Sequence, residues 1–263
     1  MDALADPRLQ PYQDLRAAGP REVPGQGACF LCEGRLLVEQ ALAGAAAGRL
    51  RLVSVLATPA AAEGLAERLP AGADLVRMEP SALSALVGFE FHRGLLACVA
   101  VPPEPPERKL RLCRRLLVLP RLQDAENLGL LVRSAAALGM DGVLAGPGPD
   151  LWSRRTVRVS MGAAWKVPVW QKADPAEWVE AWREEPGSEV VAAHPGAGSV
   201  AVRDWVPSPR VALVLGQEGP GLDEAWLARC DRRVRIPMRG GVDSLNVAAA
   251  GAILMHELGR REA

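Results

Sequence analysis

The chain has 263 residues, 49% of them hydrophobic and 24% charged, the balance of an ordinary globular protein. Its 31 Lys+Arg equal its 31 Asp+Glu, which excludes a uniformly basic nucleic-acid binder. No stretch approaches the roughly 18 consecutive apolar residues of a membrane helix. The start, Met1-Asp2-Ala3-Leu4-Ala5-Asp6, lacks the basic and apolar regions of a secretory signal. Five cysteines, an odd number in a chain long enough to bury its own core, point to a reducing cytoplasm and not to a disulfide scaffold.

The zero net charge hides an asymmetry. Up to Glu107 there are 9 basic and 13 acidic residues, and from Arg108 onward 22 and 18, so the two parts carry −4 and +4. The change falls at Val101-Pro102-Pro103-Glu104-Pro105-Pro106, a stiff segment of linker composition. We therefore expect a first domain over 1–101, a Pro-rich linker over 102–109 and a second domain over 110–263. Of the 31 basic residues 28 are arginine. The planar guanidinium suits phosphate recognition, although a GC-rich genome produces the same bias.

In chain order, the first part predicts a strand over Ala28–Leu31 and a helix over Arg35–Ala45. A strand over Leu52–Ala57 and a helix over Ala60–Leu69 follow, then a strand over Leu75–Met78, a helix over Ser81–Val87 and a strand over Leu95–Val101. This is a small α/β domain. After the linker, short apolar runs at Leu116–Leu119, Val143–Ala145, Val190–Ala193, Val211–Leu215 and Val234–Ile236 read as parallel strands buried on both faces. A helix is expected over Leu128–Leu138, ending at Gly139. Val247–Leu258 predicts a closing helix whose first part is apolar all round, and so is buried in the core or against another subunit. The second part reads as an open, mainly parallel α/β sheet.

Ligands of such sheets bind beyond the carboxyl ends of the strands, and three strand exits here are unusual. The first runs from Leu119 through Asn127 and Gly129 into a helix bearing Arg133. Leu128, Leu131, Val132 and Ala135 form that helix's buried stripe, and Arg133 projects about 140° away from Leu128 at ~100° per residue. A polar loop capped by Asn127, with Arg133 merely solvated, would look the same. The second exit is Leu215-Gly216-Gln217-Glu218-Gly219-Pro220-Gly221-Leu222, where three glycines around one acid mark a tight turn that lets backbone approach a ligand. It is neither a dinucleotide fingerprint nor a P-loop. A plain turn with Glu218 near a helix N-terminus is the alternative. The third is Ile236-Pro237-Met238-Arg239-Gly240-Gly241-Val242-Asp243-Ser244-Leu245-Asn246, which delivers Ser244 or Asn246 as a helix N-cap.

Other candidates carry less. Cys29-x-x-Cys32 lacks a second Cys or His pair at zinc spacing and reads as core. His92, His194 and His256 read as structural or surface residues. Arg108, Lys109, Arg111, Arg114, Arg115 and Arg121 form either a basic stripe able to follow a phosphate backbone or a solvated strand edge.

Taken together and in order, N-x-G-x-x-x-R (Asn127, Gly129, Arg133), L-G-x-E-G-x-G (Leu215 to Gly221), and I-P-M then S-L-N-V (Ile236–Met238, Ser244–Val247) resemble the motifs of the SpoU/TrmH family of RNA ribose methyltransferases, of the SPOUT class. The match runs over about residues 110–260. The first hundred residues look like the small RNA-binding domain that often precedes this catalytic domain; Glu33-Gly34 with Val38-Glu39, and Gly94-Leu95-Leu96-Ala97, support that less specifically.

The resemblance implies a trefoil knot formed by the last strands and the closing helix, where periodicity alone suggests an ordinary Rossmann-like sheet. It implies S-adenosylmethionine as cofactor, held through Leu215, Gly216, Gly221, Ile236, Met238, Ser244 and Leu245, and no metal. It implies a cytoplasmic homodimer with a shared site, joined through the second domain. Asn127, Arg133, Glu218, Ser244 and Asn246 form the catalytic set it implies, with RNA as substrate and a 2′-hydroxyl oxygen attacking the sulfonium methyl. Arg133 is the proposed base of the family, yet a guanidinium with pKa above ~12 is a poor proton acceptor. Binding the neighbouring phosphate and stabilising a developing alkoxide, its fork fixed by Glu218 and Asn127, is the role expected here.

Two positions depart from the family pattern, Ala248 where many members have Ser, and Gln217 where Asn or a small residue is usual. Neither removes a member of the catalytic set. RNA contact by the acidic first domain needs a local basic face, for which Arg8, Arg16, Arg35 and Arg93 are candidates. The two-domain plan tilts the substrate toward ribosomal RNA. Transfer RNA, or a lapsed enzyme that still binds RNA, is the alternative. A nicotinamide-dependent oxidoreductase would need a glycine fingerprint after the first strand, and the segment after Leu119 has only Gly129.

Overall fold

A computed structural model describes residues 6–15, 19–241 and 243–260. These fall into two compact units, one comprising residues up to Pro103 with Asp150–Trp165, the other Glu104–Pro149 with the chain from Lys166 onward.

The first unit holds strands β1 (Arg21–Val23), β2 (Gly27–Glu33), β3 (Arg51–Ala57), β4 (Asp74–Arg77) and β5 (Leu95–Ala100), with helices α1 (Arg35–Ala46) and α2 (Pro80–Val87). The sheet order is β1-β2-β5-β3-β4, antiparallel except for β3 beside β4. Leu9, Leu31, Leu56, Leu83 and Leu96 share one core with Tyr12, whose buried hydroxyl meets Ser54 Oγ at 2.8 Å. The helix expected over 60–69 is a run of turns with one 3₁₀ turn at Ala66–Arg68. Gly64 in the middle of it has φ +69°, which no right-handed helix can carry.

The first unit also contains a segment that the linear domain division assigned to the second. Its helix, Arg154–Ser160 (α5 in chain order), puts Arg154 beside the buried carboxylate of Glu33, with Nε at 2.9 Å and Nη2 at 2.8 Å from Oε2. Trp152 and Trp165 place their rings 4.8 and 5.7 Å from Phe30. A buried carboxylate needs a paired cation, and these aromatic rings need an apolar surface. The helix supplies the cation and the first sheet the apolar surface.

In the second unit lie β6 (Arg115–Leu119), β7 (Gly142–Ala145), β8 (Val169–Gln171), β9 (Ser188–Ala193), β10 (Val200–Ala201), β11 (Arg210–Val214) and β12 (Arg232–Arg235). They form one sheet in the order β10-β12-β9-β11-β6-β7-β8, with every pair parallel. Helices α3 (Glu107–Leu112), α4 (Ala125–Ala137), α6 (Pro175–Arg183), α7 (Glu224–Arg229) and α8 (Val247–Arg260) accompany it. Part of the expected linker is thus helical, in α3. β8 and β10, at three and two residues, are too short to show a periodicity.

α8 lies close against α4. A Cβ at Gly251 would come within 2.5 Å of Leu131 Cδ2 and 2.8 Å of Leu215 Cδ1. Its opposite side is not covered: Ala249, Ile253 and His256 are exposed. The basic cluster of the sequence is not one stripe, because Arg115 starts β6 while Arg121 lies beyond its far end, which is about 13 Å along at ~3.3 Å per residue. Of the four arginines considered for a basic face of the first unit, Arg35 and Arg93 line one cleft, Arg8 is held by Asp6 at 2.6 Å, and Arg16 lies outside the described residues. Among the described residues no helix is long and apolar enough to cross a membrane.

Candidate active site

The carboxyl ends of β9, β11 and β12 meet the start of α8 around a cavity of about 490 Å³, within the usual range for small-molecule sites. Leu215, Leu222, Ile236, Leu245 and Leu254 supply apolar walls, and His194, Gln217, Glu218, Ser244 and Asn246 supply polar ones. Gly216, Gly221 and Met238 also line it, so all seven residues expected to hold a cofactor face this one space.

The loop after β11 closes on itself. Gln217 and Gly221 form an isolated antiparallel bridge in which Gly221 N–H donates to Gln217 O at 3.2 Å. A Cβ at Gly216 would sit 2.3 Å from the carbonyl carbon of Gly221. The glycine expected to admit a ligand is therefore required first by the loop's own backbone.

A polar array crosses the rim. Asp124, not Asn127, caps α4, accepting from Glu126 N–H at 2.7 Å, and this leaves the buried Asn127 free for other partners. Asn246 caps α8, its Oδ1 accepting from the N–H of Ala248 at 2.9 Å and of Ala249 at 3.3 Å. Its Nδ2 must then face outward, and it donates to Asn127 Oδ1 at 3.0 Å. Asn127 Nδ2 in turn donates to Glu218 Oε1 at 2.6 Å, and Gln123 N–H donates to Glu218 Oε2 at 3.3 Å. Each amide orientation is fixed by the donor or acceptor before it, back to the helix N-terminus.

Arg133 is outside this array. It is exposed, and Glu218 and Asn127 bond to each other, Glu218 also to Gln123 and Asn127 also to Asn246, so they do not fix its fork as the sequence reading expected. Six residues along α4 carry Arg133 about 9 Å from Asn127 and turn it onto another face. Ser244 is exposed at the cavity wall.

Sequence reasoning missed two residues. Gln123 lies in the exit loop of β6, already singled out for other members, and its main-chain N–H was invisible to a side-chain search. His194, read as structural or surface, directly follows β9 and lines the cavity. The strand-exit rule applied to β9 would have found it. Elsewhere Cys29 and Cys32 are buried in β2, where burial raises the Cys32 thiol far above its ordinary pKa. His92 and His256 are exposed.

Comparison with known proteins agrees with this geometry. The SpoU rRNA Methylase family model matches residues 114–256. An uncharacterized tRNA/rRNA methyltransferase of Mycobacterium tuberculosis is 36% identical over 96% of this chain and 88% of its own. The 23S rRNA (guanosine(2553)-2′-O)-methyltransferase RlmP of Bacillus subtilis is 31% identical over 98% of this chain and 99% of its own. Among solved structures, the SpoU methyltransferase AviRb of Streptomyces viridochromogenes in complex with AdoMet superposes with a TM-score of 0.77 at 26% identity, over 97% of both chains. The AdoMet-bound rRNA methyltransferase of Sinorhizobium meliloti gives 0.73 at 28% identity, over 89% of this chain and 87% of that one. Fold, motifs and full-length similarity agree: the chain belongs to the SpoU rRNA methylase family.

Proposed function

We propose that the chain transfers the methyl group of S-adenosylmethionine to a ribose 2′-hydroxyl of ribosomal RNA, in the cytoplasm. The array Asn246–Asn127–Glu218 on the rim of a cavity walled by the two motif loops carries this reading. The B. subtilis relative, named for 2′-O methylation of 23S rRNA and matched end to end, favours ribosomal over transfer RNA.

The cavity suits the cofactor. Its volume of about 490 Å³, its leucine and isoleucine walls and its glycine-rich main chain fit an adenosine and a short amino-acid chain. When bound, S-adenosylmethionine supplies a methyl group on a cationic sulfur that departs as a neutral thioether. The protein aligns the attacking oxygen and stabilises the charge that grows as its proton leaves. Glu218 and Asn127 hold the rim loops in one geometry. Arg133, exposed and always charged, binds the phosphate beside the target ribose and stabilises the developing alkoxide.

The chain would act as a homodimer. Leu130 on α4 is 40% exposed and Ile253 on α8 39%, with Ala137 and Ala249 also exposed on these two helices. A second copy covering this apolar face would let Arg133 serve a site shared between subunits. The knot that the resemblance implies would be formed by the cavity loops and α8.

The test uses methyl-labelled S-adenosylmethionine and total RNA from a strain lacking the gene, followed by alkaline digestion. A 2′-O-methyl group blocks cleavage at its own linkage, so label in alkali-resistant dinucleotides of the rRNA fraction is expected. Label released in mononucleotides would mean base methylation and would overturn the ribose reading.

A further inference from the structure

We infer that Asp243 is the proton acceptor of the reaction, taking the hydrogen of the target ribose 2′-hydroxyl. The inference rests on the proposed ribose methylation and adds a group that this chemistry needs. As the ribose oxygen bonds to the methyl carbon, the carbon–sulfur bond breaks and its electron pair stays on sulfur. The hydroxyl proton has to leave the oxygen in the same event, or the product would be a protonated ether. Arg133 cannot take it, because a protonated guanidinium has no acceptor.

Four ionisable side chains line the cavity: His194, Glu218, Arg235 and Asp243. Arg235 is a cation, and its Nε donates to Ser199 O at 3.2 Å. Glu218 is committed on both oxygens, to Asn127 Nδ2 at 2.6 Å and to Gln123 N–H at 3.3 Å. A proton on this carboxylate would weaken the two bonds that join the glycine loop to the exit of β6 and to α4. His194 follows β9, which β11 separates from β6, so it lies one strand further from Gln123 and Asn127 than Glu218 does. Its Nε2 is also turned onto its own loop, 2.4 Å from where a Cβ on Gly196 would stand.

Asp243 is placed differently. It is exposed at the cavity wall, and its carboxylate forms no hydrogen bond or ion pair with a described residue. Gly240 and Gly241, at φ +70° and +73°, turn the chain that leaves β12, and Asp243 follows them, three residues before Asn246. Asn246 Nδ2 donates to Asn127 Oδ1 at 3.0 Å, so the segment that carries Asp243 is anchored on the rim. Three residues span at most ~11 Å. An uncommitted carboxylate therefore stands on the cavity wall, one short segment from the array.

Such a group takes a hydroxyl proton in step with bond formation at the oxygen, as an aspartate does when a protein kinase transfers phosphoryl to a hydroxyl. Exposure lets it return the proton to water. Arg133 and Asp243 then divide the work: one steadies the growing negative charge and the other removes the proton that leaves it. The charged and titratable groups around Asp243 are His194, Glu218 and Arg235 on the cavity and Arg239 earlier on its own loop.

The test measures single-turnover methyl transfer by the full chain from labelled S-adenosylmethionine to total RNA of a strain lacking the gene, between about pH 5 and pH 9. The variants are Asp243→Asn, Asp243→Glu and His194→Gln. We expect Asp243→Asn to lower the rate at saturating substrates by about 10²–10³ and to lose the acidic limb of the pH profile, with Asp243→Glu recovering part of the rate. Its KM for RNA and its calorimetric affinity for S-adenosylmethionine stay within about threefold of the parent, and its melting temperature within ~1 °C. His194→Gln keeps the acidic limb. A parent-like saturated rate in Asp243→Asn overturns the inference. So does a loss confined to cofactor affinity, which would make Asp243 a partner of the cationic sulfur, or an acidic limb that vanishes in His194→Gln and persists in Asp243→Asn. The outcomes keep the two proposals apart: ribose label from the parent with a normal rate in Asp243→Asn refutes the proton acceptor alone, whereas label in bases, or none, refutes ribose methylation and with it any proton taken from a 2′-hydroxyl.

Discussion

Asn127 Nδ2 donates to Glu218 Oε1 at 2.6 Å, joining α4 to the glycine loop after β11 across 91 positions of sequence. Replacing Asn127 by Asp would put two carboxylates at hydrogen-bond distance, where they can share only one proton. That pair then has a folded pKa above its unfolded value. Its contribution to stability is present below the unfolded carboxylate range and is lost as pH rises through the raised value. We expect Asn127→Asp to melt close to the parent below about pH 4 and to show a deficit of about 1–3 kcal/mol at pH 8. A deficit independent of pH would mean that Glu218 does not face this position.

Asn246 has two tasks that substitution can separate. Asp at this position keeps an oxygen for the N–H groups of Ala248 and Ala249 but has no Nδ2 to offer Asn127. Asn246→Ala should cost about 0.5–2 kcal/mol through the lost cap, while Asn246→Asp should unfold like the parent. Turnover should fall in both, by about 10² in Asn246→Asp. Normal turnover in Asn246→Asp would limit the residue to capping.

Two glycines act through close contact. Gly216→Ala forces the 216–222 loop apart, since its Cβ would lie 2.3 Å from Gly221, and should weaken calorimetric binding of S-adenosylmethionine at least tenfold. Gly251→Ala pushes on Leu131 and Leu215 at the α4–α8 contact and should cost about 1–3 kcal/mol in urea unfolding. If Gly216→Ala bound the cofactor like the parent, the loop would not form its wall.

Arg133 is exposed and outside the hydrogen-bonded array, so stability should not register its loss. Arg133→Ala should change the melting temperature by less than about 1 °C, with ΔΔG inside ~0.5 kcal/mol for a surface substitution. Its kcat should fall by roughly 10²–10³. Arg133→Lys should recover little, because an ammonium lacks the bidentate fork. Near-normal turnover with an altered pH profile in Arg133→Lys would argue against that role.

The exposed apolar face of α4 and α8 predicts assembly. Leu130→Asp with Ile253→Asp should sediment as a monomer where the parent sediments as a dimer, and should lose methyl transfer if Arg133 serves a shared site. A monomeric parent would remove that proposal.

The amino-acid sequence by itself was enough for the alternation of strands and helices and for the three strand exits. Runs such as Leu116–Leu119 and Val211–Leu215 are apolar at every position, as strands covered on both faces must be, and β6 and β11 coincide with them within one residue. Such patterns report which faces are buried, because burial acts on each side chain where it stands. They do not report partners. That 150–165 completes the first unit depends on Glu33 and Phe30, more than a hundred residues earlier, and Gly64 redirected a stretch whose composition favours helix. Tertiary structure alone decided that Asn127, left uncommitted by the local Asp124 cap, meets Glu218 and Asn246. It also decided that Arg35 and Arg93 line one cleft. The physical reason is the same in each case: a hydrogen bond or a cavity wall joins atoms brought close by the order of strands in a sheet, and that order depends on how all the elements cover one another.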